Sequence, residues 1–419
     1  MAITSPTPSS RAFSLVTRRS PPNRLAGSEA REREVRARQG EQRGPAKWNR
    51  YPLSLAMQTW SSLLRPELAE LSAYVPADPP GIRVRLDANE APFVHRSSAV
   101  LRDVVARAVA RVSLERYPDP TASELRSRIA ERTGATKDEL VVGSGSDELI
   151  SMLLTALARP REGAARAVVM VFIPTFVNYA LTSRTHGLQV VEVPLDSQWD
   201  LDITAARRAL EEYRPNVVFV ASPNNPTGNR VADDRLEALL TSAPQALVVL
   251  DEAYIDYAGS SLRTWRSRFG NLVIFRTLSK VGLASLRVGW LETDEGLARE
   301  IDKVRQPYNL NSVSQAAASA VLAEAWDVVR ERVDLVVAER ERVTRAIGRI
   351  GGFDVSPSRA NFLWVGTSRP SGEVYEALIA RGILVRSFHK AGGRLANHLR
   401  ITIGAPEDND RLVEALSTL

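Results

Sequence analysis

The feature that most constrains the fold is a series of short apolar runs that alternate with helical patterns. Six runs rich in valine, isoleucine and leucine lie at 139–142, 167–173, 216–221, 246–250, 271–275 and 287–292. Apolar runs of this length without polar alternation are typical of strands buried on both faces of a mostly parallel sheet. The pattern therefore predicts an α/β core with helices on both sides of the sheet.

The pattern changes after Pro307. Residues 312–350 predict a long helical stretch, and a further helix is predicted at 371–381 between short strands at 362–366, 382–388 and 399–404. This mixture is typical of a smaller α+β domain. We therefore divide the chain into an extension at 1–56, an arm at 57–99 that joins the small domain, a large domain at 100–308 and the small C-terminal domain at 309–419.

The positive charge of the chain is concentrated in the extension. The protein has a net charge of +6, whereas its first 56 residues alone contain ten arginines and one lysine against four glutamates. The remainder is near neutral, which argues against nucleic acid as a partner. Frequent proline and the lack of apolar periodicity predict a disordered extension. An organelle transit peptide and a misplaced start before Met57 are the alternatives.

The sequence also excludes several kinds of chemistry. It contains no cysteine, so disulfides, thiolate nucleophiles and zinc-thiolate sites are ruled out, and we assign no metal ligands. Its longest apolar runs are far shorter than the roughly 20 residues that a membrane-spanning helix needs. We expect a cytoplasmic protein without a membrane partner.

Unusual polar residues follow five of the predicted strands. These segments read GSGSDELI (143–150), PTFVNY (174–179), SPNNPTG (222–228), DEAY (251–254) and RTLSK (276–280). Ligands of open parallel sheets bind beyond the carboxyl ends of the strands. The five segments therefore predict a single site at one edge of the sheet.

The first of these segments suggests a phosphate site. Small residues between a strand and a helix expose backbone N–H groups at the helix N-terminus, where the helix dipole favours an anion. A plain glycine-rich turn is the alternative. The segment is not the dinucleotide-binding fingerprint, because Glu148 takes the place of the third glycine.

Asp251 and Lys280 are more informative as a pair than singly. A carboxylate at the end of an apolar strand is unfavourable unless a cation meets it, although Asp251 alone could cap a helix and Lys280 alone could be a surface lysine. Together they suggest a cofactor with a basic ring nitrogen for Asp251 and an aldehyde for Lys280. Pyridoxal 5'-phosphate (PLP) requires this pairing.

From about Leu64 to the C-terminus the chain resembles the histidinol-phosphate aminotransferases, a group of fold-type I PLP-dependent enzymes. The resemblance rests on the five segments together with RLDANEAPF (85–93), RYPDP (116–120), Arg287 and LRITIG (399–404). It implies a seven-stranded sheet in the large domain and a homodimer with shared active sites. It also implies amino-group transfer between glutamate and imidazole-acetol phosphate, a step of histidine biosynthesis.

The resemblance assigns a role to individual residues around the cofactor ring. Lys280 is similar to the lysine that binds the PLP aldehyde and moves the proton at the substrate Cα, and Asp251 to the group that keeps the ring nitrogen protonated. Tyr254 and Asn225 would hydrogen-bond the ring hydroxyl group, Phe176 would stack on the ring, and Tyr179 would assist.

Further roles concern the phosphate group and the substrate. The cofactor phosphate would be held by the backbone of Ser146 and Asp147, the hydroxyls of Thr277 and Ser279, Arg287, and Tyr117 from the partner subunit. Arg400 would clamp the substrate α-carboxylate, Arg386 would meet a substrate phosphate, and Asn89 would approach the amino acid. We also expect a cis peptide bond before Pro174, Pro226 or both, where similar proteins often have one.

Other functions remain open on the same scaffold. A threonine-phosphate decarboxylase or an aromatic amino-acid aminotransferase would use the same residues, since Arg400 serves any α-carboxylate and Arg386 any distal anion. A PLP-sensing transcription regulator would carry a helix-turn-helix ahead of the aminotransferase body. Residues 1–56 show no apolar pattern for two such helices.

Overall fold

A computed structural model describes residues 62–65, 68, 71, 73 and 76–419 of the protein. The predictions for the extension at 1–56 lie outside these residues. The chain divides into one unit at Met1–Leu64 and a second at Arg65–Leu419. The architecture given below is that of the second unit.

Twelve strands and eleven α-helices make up the described part of this unit. The strands are β1 (Val84–Leu86), β2 (Leu140–Ser144), β3 (Val168–Ile173), β4 (Gln189–Pro194), β5 (Val217–Ala221), β6 (Leu247–Asp251), β7 (Leu272–Thr277), β8 (Val288–Glu292), β9 (Phe353–Val355), β10 (Phe362–Thr367), β11 (Ile383–Ser387) and β12 (His398–Thr402). The helices are α1 (His95–Val109), α2 (Ser123–Thr133), α3 (Gly145–Ala156), α4 (Val177–Thr185), α5 (Ile203–Tyr213), α6 (Asp233–Ser242), α7 (Glu295–Asp302), α8 (Ser312–Glu324), α9 (Trp326–Ile347), α10 (Ser371–Ala380) and α11 (Pro406–Ser417).

The larger sheet has seven strands in the order β2-β8-β7-β6-β5-β3-β4. Strands β3 to β7 pair in parallel, whereas β8 runs antiparallel to both of its neighbours. Buried apolar clusters lie on both faces of this sheet. The prediction of a mostly parallel α/β sheet covered by helices is confirmed.

Side-chain caps stabilise the first turns of two helices that cover this sheet. The Asp202 carboxylate caps α5 by accepting from the Ala205 N–H at 2.9 Å, and the Asp294 carboxylate caps α7 by accepting from the Leu297 N–H at 3.0 Å. Each side-chain cap satisfies a backbone donor that the first helical turn leaves without a partner. Helix α3 buries Leu149, Ile150 and Leu153 against the strands.

The second sheet has five strands in the order β1-β11-β12-β10-β9. Strand β1 pairs in parallel with β11, and the other pairs are antiparallel. The arm segment thus contributes the edge strand β1 to the sheet built by the C-terminal residues. Helices α9, α10 and α11 bury apolar side chains such as Val336, Leu378 and Leu412 beside it.

The structure differs from the predicted elements at four places. The helical stretch at 312–350 is two helices, because Ala325 leaves the helical region with φ −136°. At this break the ring of Trp326 packs under the Arg132 guanidinium, with the ring centroid 4.9 Å from Cζ. Strands β1, β4 and β9 were not among the predicted runs. All three lie at sheet edges, and half of the residues of β4 are exposed.

Two further observations concern the whole described region. Cis peptide bonds precede Pro174, Pro223 and Pro226, so the expectation for Pro174 and Pro226 is confirmed, and Pro223 is an addition. Within the residues that the structure describes, no helix has both the length and the apolar character needed to cross a membrane.

Candidate active site

A cavity of about 480 Å³ lies at the carboxyl ends of the parallel strands and extends to the five-stranded sheet. All but one of the predicted site residues line it. These residues are Asn89, Ser146, Asp147, Phe176, Tyr179, Asn225, Asp251, Tyr254, Thr277, Ser279, Lys280, Arg287, Arg386 and Arg400. The strand ends therefore meet at one edge of the sheet, as their parallel pairing requires.

Asp251 ends β6 at the floor of the cavity and is 5 % exposed. Its carboxylate accepts hydrogen bonds from the Tyr179 hydroxyl at 2.6 Å and the Ala253 N–H at 2.9 Å. Burial raises the pKa of Asp251, while these two hydrogen bonds and the charge of Lys280 act in the opposite direction. A buried carboxylate of this kind is stabilised by a cation such as a protonated ring nitrogen.

Lys280 lies in a 3-10 turn, Ser279–Val281, directly after β7. Its ammonium nitrogen is 5.8 Å from the centroid of the Tyr254 ring. The Tyr257 hydroxyl donates to the Lys280 carbonyl oxygen at 2.6 Å, and Gly282 continues the chain with φ +94°. The hydrogen bond from Tyr257 thus fixes the backbone of Lys280, and the Lys280 side chain lines the cavity.

Asn89 connects Tyr254 to the five-stranded sheet. Its side-chain amide donates to the Tyr254 hydroxyl at 2.9 Å, and its backbone N–H donates to the Thr402 hydroxyl at 3.0 Å. The Asn361 amide in turn donates to the Asn89 carbonyl oxygen at 2.9 Å. Asn89 therefore fixes the tyrosine hydroxyl that would face the cofactor ring.

The predicted phosphate cradle is formed where α3 meets β8. An ideal Cβ at Gly145, which has φ +78°, would lie 2.4 Å from a terminal nitrogen of Arg287, and a Cβ at Gly289 would lie 2.9 Å from the Ser146 nitrogen. Only glycine at these two positions allows Arg287 and β8 to approach the helix N-terminus so closely. The approach places a guanidinium beside free backbone N–H groups.

Hydrogen bonds already link the groups of this cradle. Arg287 donates to the Asp147 carboxylate at 3.1 Å and to the Ser279 hydroxyl at 3.4 Å, and Thr277 donates to the same hydroxyl at 3.0 Å. Backbone N–H groups, two hydroxyls and a guanidinium form a set of donors that fits a phosphate. The residues present therefore fit the phosphate end of PLP as well as its ring nitrogen.

The substrate side of the cavity is formed by the five-stranded sheet. Arg386 on β11 and Arg400 on β12 are paired residues of antiparallel strands, so their side chains share one face. Arg400 donates to the Asn225 side-chain oxygen at 2.6 Å and to the Asp87 carbonyl oxygen. Two guanidinium groups thus face the same cavity as Lys280.

Tyr117 is the predicted residue that does not line this cavity. Its ring is 81 % exposed and stacks on the Tyr308 ring with centroids 4.7 Å apart. The resemblance assigns it to the site of a partner subunit, and an exposed position is compatible with that assignment.

The structure adds cavity residues that the sequence interpretation did not assign. Asn178 lines the cavity and donates to the Asp147 carboxylate at 2.8 Å. Asn224, next to the lining residue Asn225, donates to the Pro174 carbonyl oxygen at 3.0 Å and joins two of the loops. Asp87 and Phe388 also line the cavity. Asn178, Asn224 and Asp87 belong to segments already singled out, PTFVNY, SPNNPTG and RLDANEAPF, whereas Phe388 carries no comparable signal.

Comparisons with known proteins show the family to which the chain belongs. Residues 82–416 match the model of the family described as aminotransferase class I and II. Histidinol-phosphate aminotransferase 2 of Cupriavidus pinatubonensis is 38 % identical over 360 residues, which cover 85 % of this chain and 96 % of that protein. The histidinol-phosphate aminotransferase of Aquifex aeolicus is 36 % identical over 349 residues, covering 83 % and 96 %.

Solved structures share the fold. Histidinol-phosphate aminotransferase from Sinorhizobium meliloti, in complex with pyridoxal-5'-phosphate, aligns with a TM-score of 0.72 at 24 % identity and covers 85 % of this chain and 97 % of its own. The enzyme of the same name from Clostridium acetobutylicum aligns with a TM-score of 0.71 at 22 % identity, covering 80 % and 98 %. The resemblance read from the motifs is confirmed, and the chain belongs to the class I and II aminotransferase family.

Proposed function

We propose that this aminotransferase uses PLP to exchange an amino group between glutamate and imidazole-acetol phosphate, forming 2-oxoglutarate and histidinol phosphate. The curated relatives that bear the histidinol-phosphate aminotransferase name support these substrates, since they cover most of the chain at 36–38 % identity. The reaction is a step of histidine biosynthesis.

The observation that carries the proposal is the paired arginines in one cavity with Lys280 and Asp251. Glutamate brings two carboxylates to the site, whereas histidinol phosphate has a phosphate ester on the carbon that takes the place of its α-carboxylate. Arginine binds both groups through a planar fork of N–H donors. Arg386 and Arg400 together can therefore serve both half reactions.

When bound, PLP supplies an aldehyde for the amino group and a ring that withdraws electrons from the substrate Cα. Asp251 would hold a proton at the ring nitrogen, and Phe176 would contact one face of the ring. Tyr254 and Asn225 orient the ring through hydrogen bonds. Lys280 moves the proton at the substrate Cα, because an amine within the cavity can act as a general base.

The phosphate of the cofactor would be bound by the cradle at the start of α3. Arg287 and the hydroxyls of Thr277 and Ser279 supply side-chain donors, and Ser146 and Asp147 supply backbone N–H groups. The Asp147 carboxylate, which Arg287 contacts at 3.1 Å, would give up this contact or share the arginine with the phosphate.

A homodimer in the cytoplasm is also part of the proposal. Tyr117 is exposed and stacked on Tyr308, and the neighbouring Leu114 is 79 % exposed. Large apolar side chains at the surface mark protein contacts. A second copy of the chain would cover them and receive Tyr117 in its own phosphate cradle.

A substrate panel on purified protein tests the reaction. Histidinol phosphate with 2-oxoglutarate should give glutamate with a kcat/KM well above that for aromatic amino acids. Carbon dioxide release from threonine phosphate, without consumption of 2-oxoglutarate, would assign the protein to decarboxylation instead. A preference for phenylalanine or tyrosine as donor would show that the phosphate group is not what the site selects.

A further inference from the structure

Tyr179 is a buried residue in the wall of the cavity. It lies in the first turn of α4 and is 1 % exposed. Its ring stacks in parallel on Phe219 of β5, with centroids 4.7 Å apart and planes inclined by 4°. The same ring meets Phe176 edge-on, with centroids 5.5 Å apart. Two aromatic contacts thus fix where the Tyr179 hydroxyl points.

That hydroxyl contacts one oxygen of Asp251. It donates to Oδ2 at 2.6 Å, while the Ala253 N–H donates to Oδ1. Burial and the Asp251 carboxylate both raise the pKa of Tyr179 well above its usual range. The hydroxyl therefore stays protonated, and it acts as a donor throughout the pH range in which the enzyme would work.

From this geometry we propose that Tyr179 is a positioning residue that keeps Asp251 ionised, so that the proton shared with the cofactor stays on the ring nitrogen. The inference rests on the proposed function, because it needs PLP in this cavity. A hydrogen bond donated to a carboxylate lowers its proton affinity. Without that bond, the shared proton would move from the ring nitrogen toward Asp251.

Other charges also face Asp251 and set the background for this effect. Lys280 favours the carboxylate from the turn after β7, and Asp147 on α3 disfavours it. Tyr254 adds a further phenol near Tyr179. Among the described residues that act on Asp251, Tyr179 is the side chain that donates a hydrogen bond to the carboxylate. Replacing Tyr179 with phenylalanine removes this bond without altering the net charge of the site.

The test uses the full-length apoprotein, reconstituted either with PLP or with an analogue whose ring nitrogen is replaced by carbon. Tyr179→Phe should weaken PLP binding roughly tenfold or more, as expected for a lost hydrogen bond to a charged group. Binding of the carbon analogue should change by less than about twofold. With ¹⁵N-labelled PLP, the ring-nitrogen resonance of the variant should move toward the value of neutral pyridine.

Two further variants complete the test. Tyr213→Phe, which alters a tyrosine on the outer surface of α5, should match the wild type. Phe219→Leu keeps the Tyr179 hydroxyl but removes the aromatic ring on which Tyr179 stacks. It should therefore weaken PLP binding less than Tyr179→Phe does, and it should leave binding of the carbon analogue unchanged. It also carries the test if thermal unfolding shows that Tyr179→Phe does not fold.

The outcomes separate this inference from the proposed function. Equal loss of affinity for PLP and for the carbon analogue, or an unchanged ¹⁵N resonance, would show that Tyr179 only shapes the cavity and would overturn the inference. Failure of the wild-type protein to bind PLP at all would overturn the proposed function itself.

Discussion

Arg386 and Arg400 stand opposite each other on neighbouring antiparallel strands and face one cavity. Like charges at directly opposed positions of a sheet destabilise it. An anionic ligand between the two guanidinium groups removes this repulsion. The pair therefore indicates a site that is built for a substrate with more than one negative charge.

The pair can be tested by removing the distal cation. Arg386→Gln should lower kcat/KM for glutamate and for histidinol phosphate by roughly 10- to 100-fold, the range expected for a lost charge-assisted hydrogen bond. The effect on phenylalanine, which brings a single carboxylate rather than two carboxylates or a phosphate, should be smaller. Steady-state kinetics on the three donors measures the ratio, with Arg381→Gln, an exposed arginine beyond α10, as the control. An equal loss on all three would contradict the assignment.

Lys280 carries the second prediction. Lys280→Ala should abolish the visible absorbance of the bound lysine adduct and reduce turnover by at least roughly 10³-fold, because the variant lacks both the cofactor-binding amine and the general base. Absorbance spectroscopy and a glutamate assay measure the two effects. Lys303→Ala, which removes a surface lysine paired with Glu300, is the control. A Lys280→Ala protein that keeps both the absorbance and the turnover would contradict the proposed mechanism.

The shared-site homodimer makes the third prediction. Tyr117→Ala and Lys280→Ala homodimers should each be impaired, but unfolding and refolding them together should recover up to about a quarter of wild-type activity, since half of the random dimers would contain one intact site. Activity after mixing is the measurement. If Tyr117 instead acted within its own subunit, no hybrid would contain an intact site and activity would not recover.

Glu252 gives a prediction about stability and pH. Burial raises its pKa to about 7, although the carboxylate accepts from the Ser261 hydroxyl at 2.6 Å and the Leu262 N–H at 2.8 Å. The folded state therefore favours the protonated form. The stability that this group contributes is fully present below its unfolded pKa, near 4.5, and is lost as the pH rises through about 7.

Glu252→Gln removes this titration. Relative to the wild type, the variant should therefore gain stability between pH 5 and pH 8, by roughly 2–4 kcal/mol. Urea unfolding of the apoprotein at a series of pH values measures the difference. Glu211→Gln, at an exposed position on α5, should show no such trend. A constant difference between Glu252→Gln and wild type would mean that Glu252 does not titrate in this range.

Local sequence patterns predict six of the seven strands of the large sheet and the polar segments that follow them. They also supply the candidates for the reacting groups. Runs such as 216–221 contain enough β-branched and apolar residues to be strands in any arrangement. Asp251 and Lys280 stand out because a charged residue directly after such a strand needs a chemical reason. These signals are local, so no tertiary information was needed to read them.

Contacts between side chains that are distant in the sequence come from the tertiary fold. The pairing of Arg386 with Arg400, the hydrogen bond from Tyr179 to Asp251, and the approach of Arg287 to Gly145 join residues that are 14, 72 and 142 positions apart in the sequence. Strand order and register set these contacts through non-local pairing, which local patterns do not encode. For the same reason the edge strands β1, β4 and β9 went unpredicted, because their identity as strands depends on a neighbour supplied by the fold.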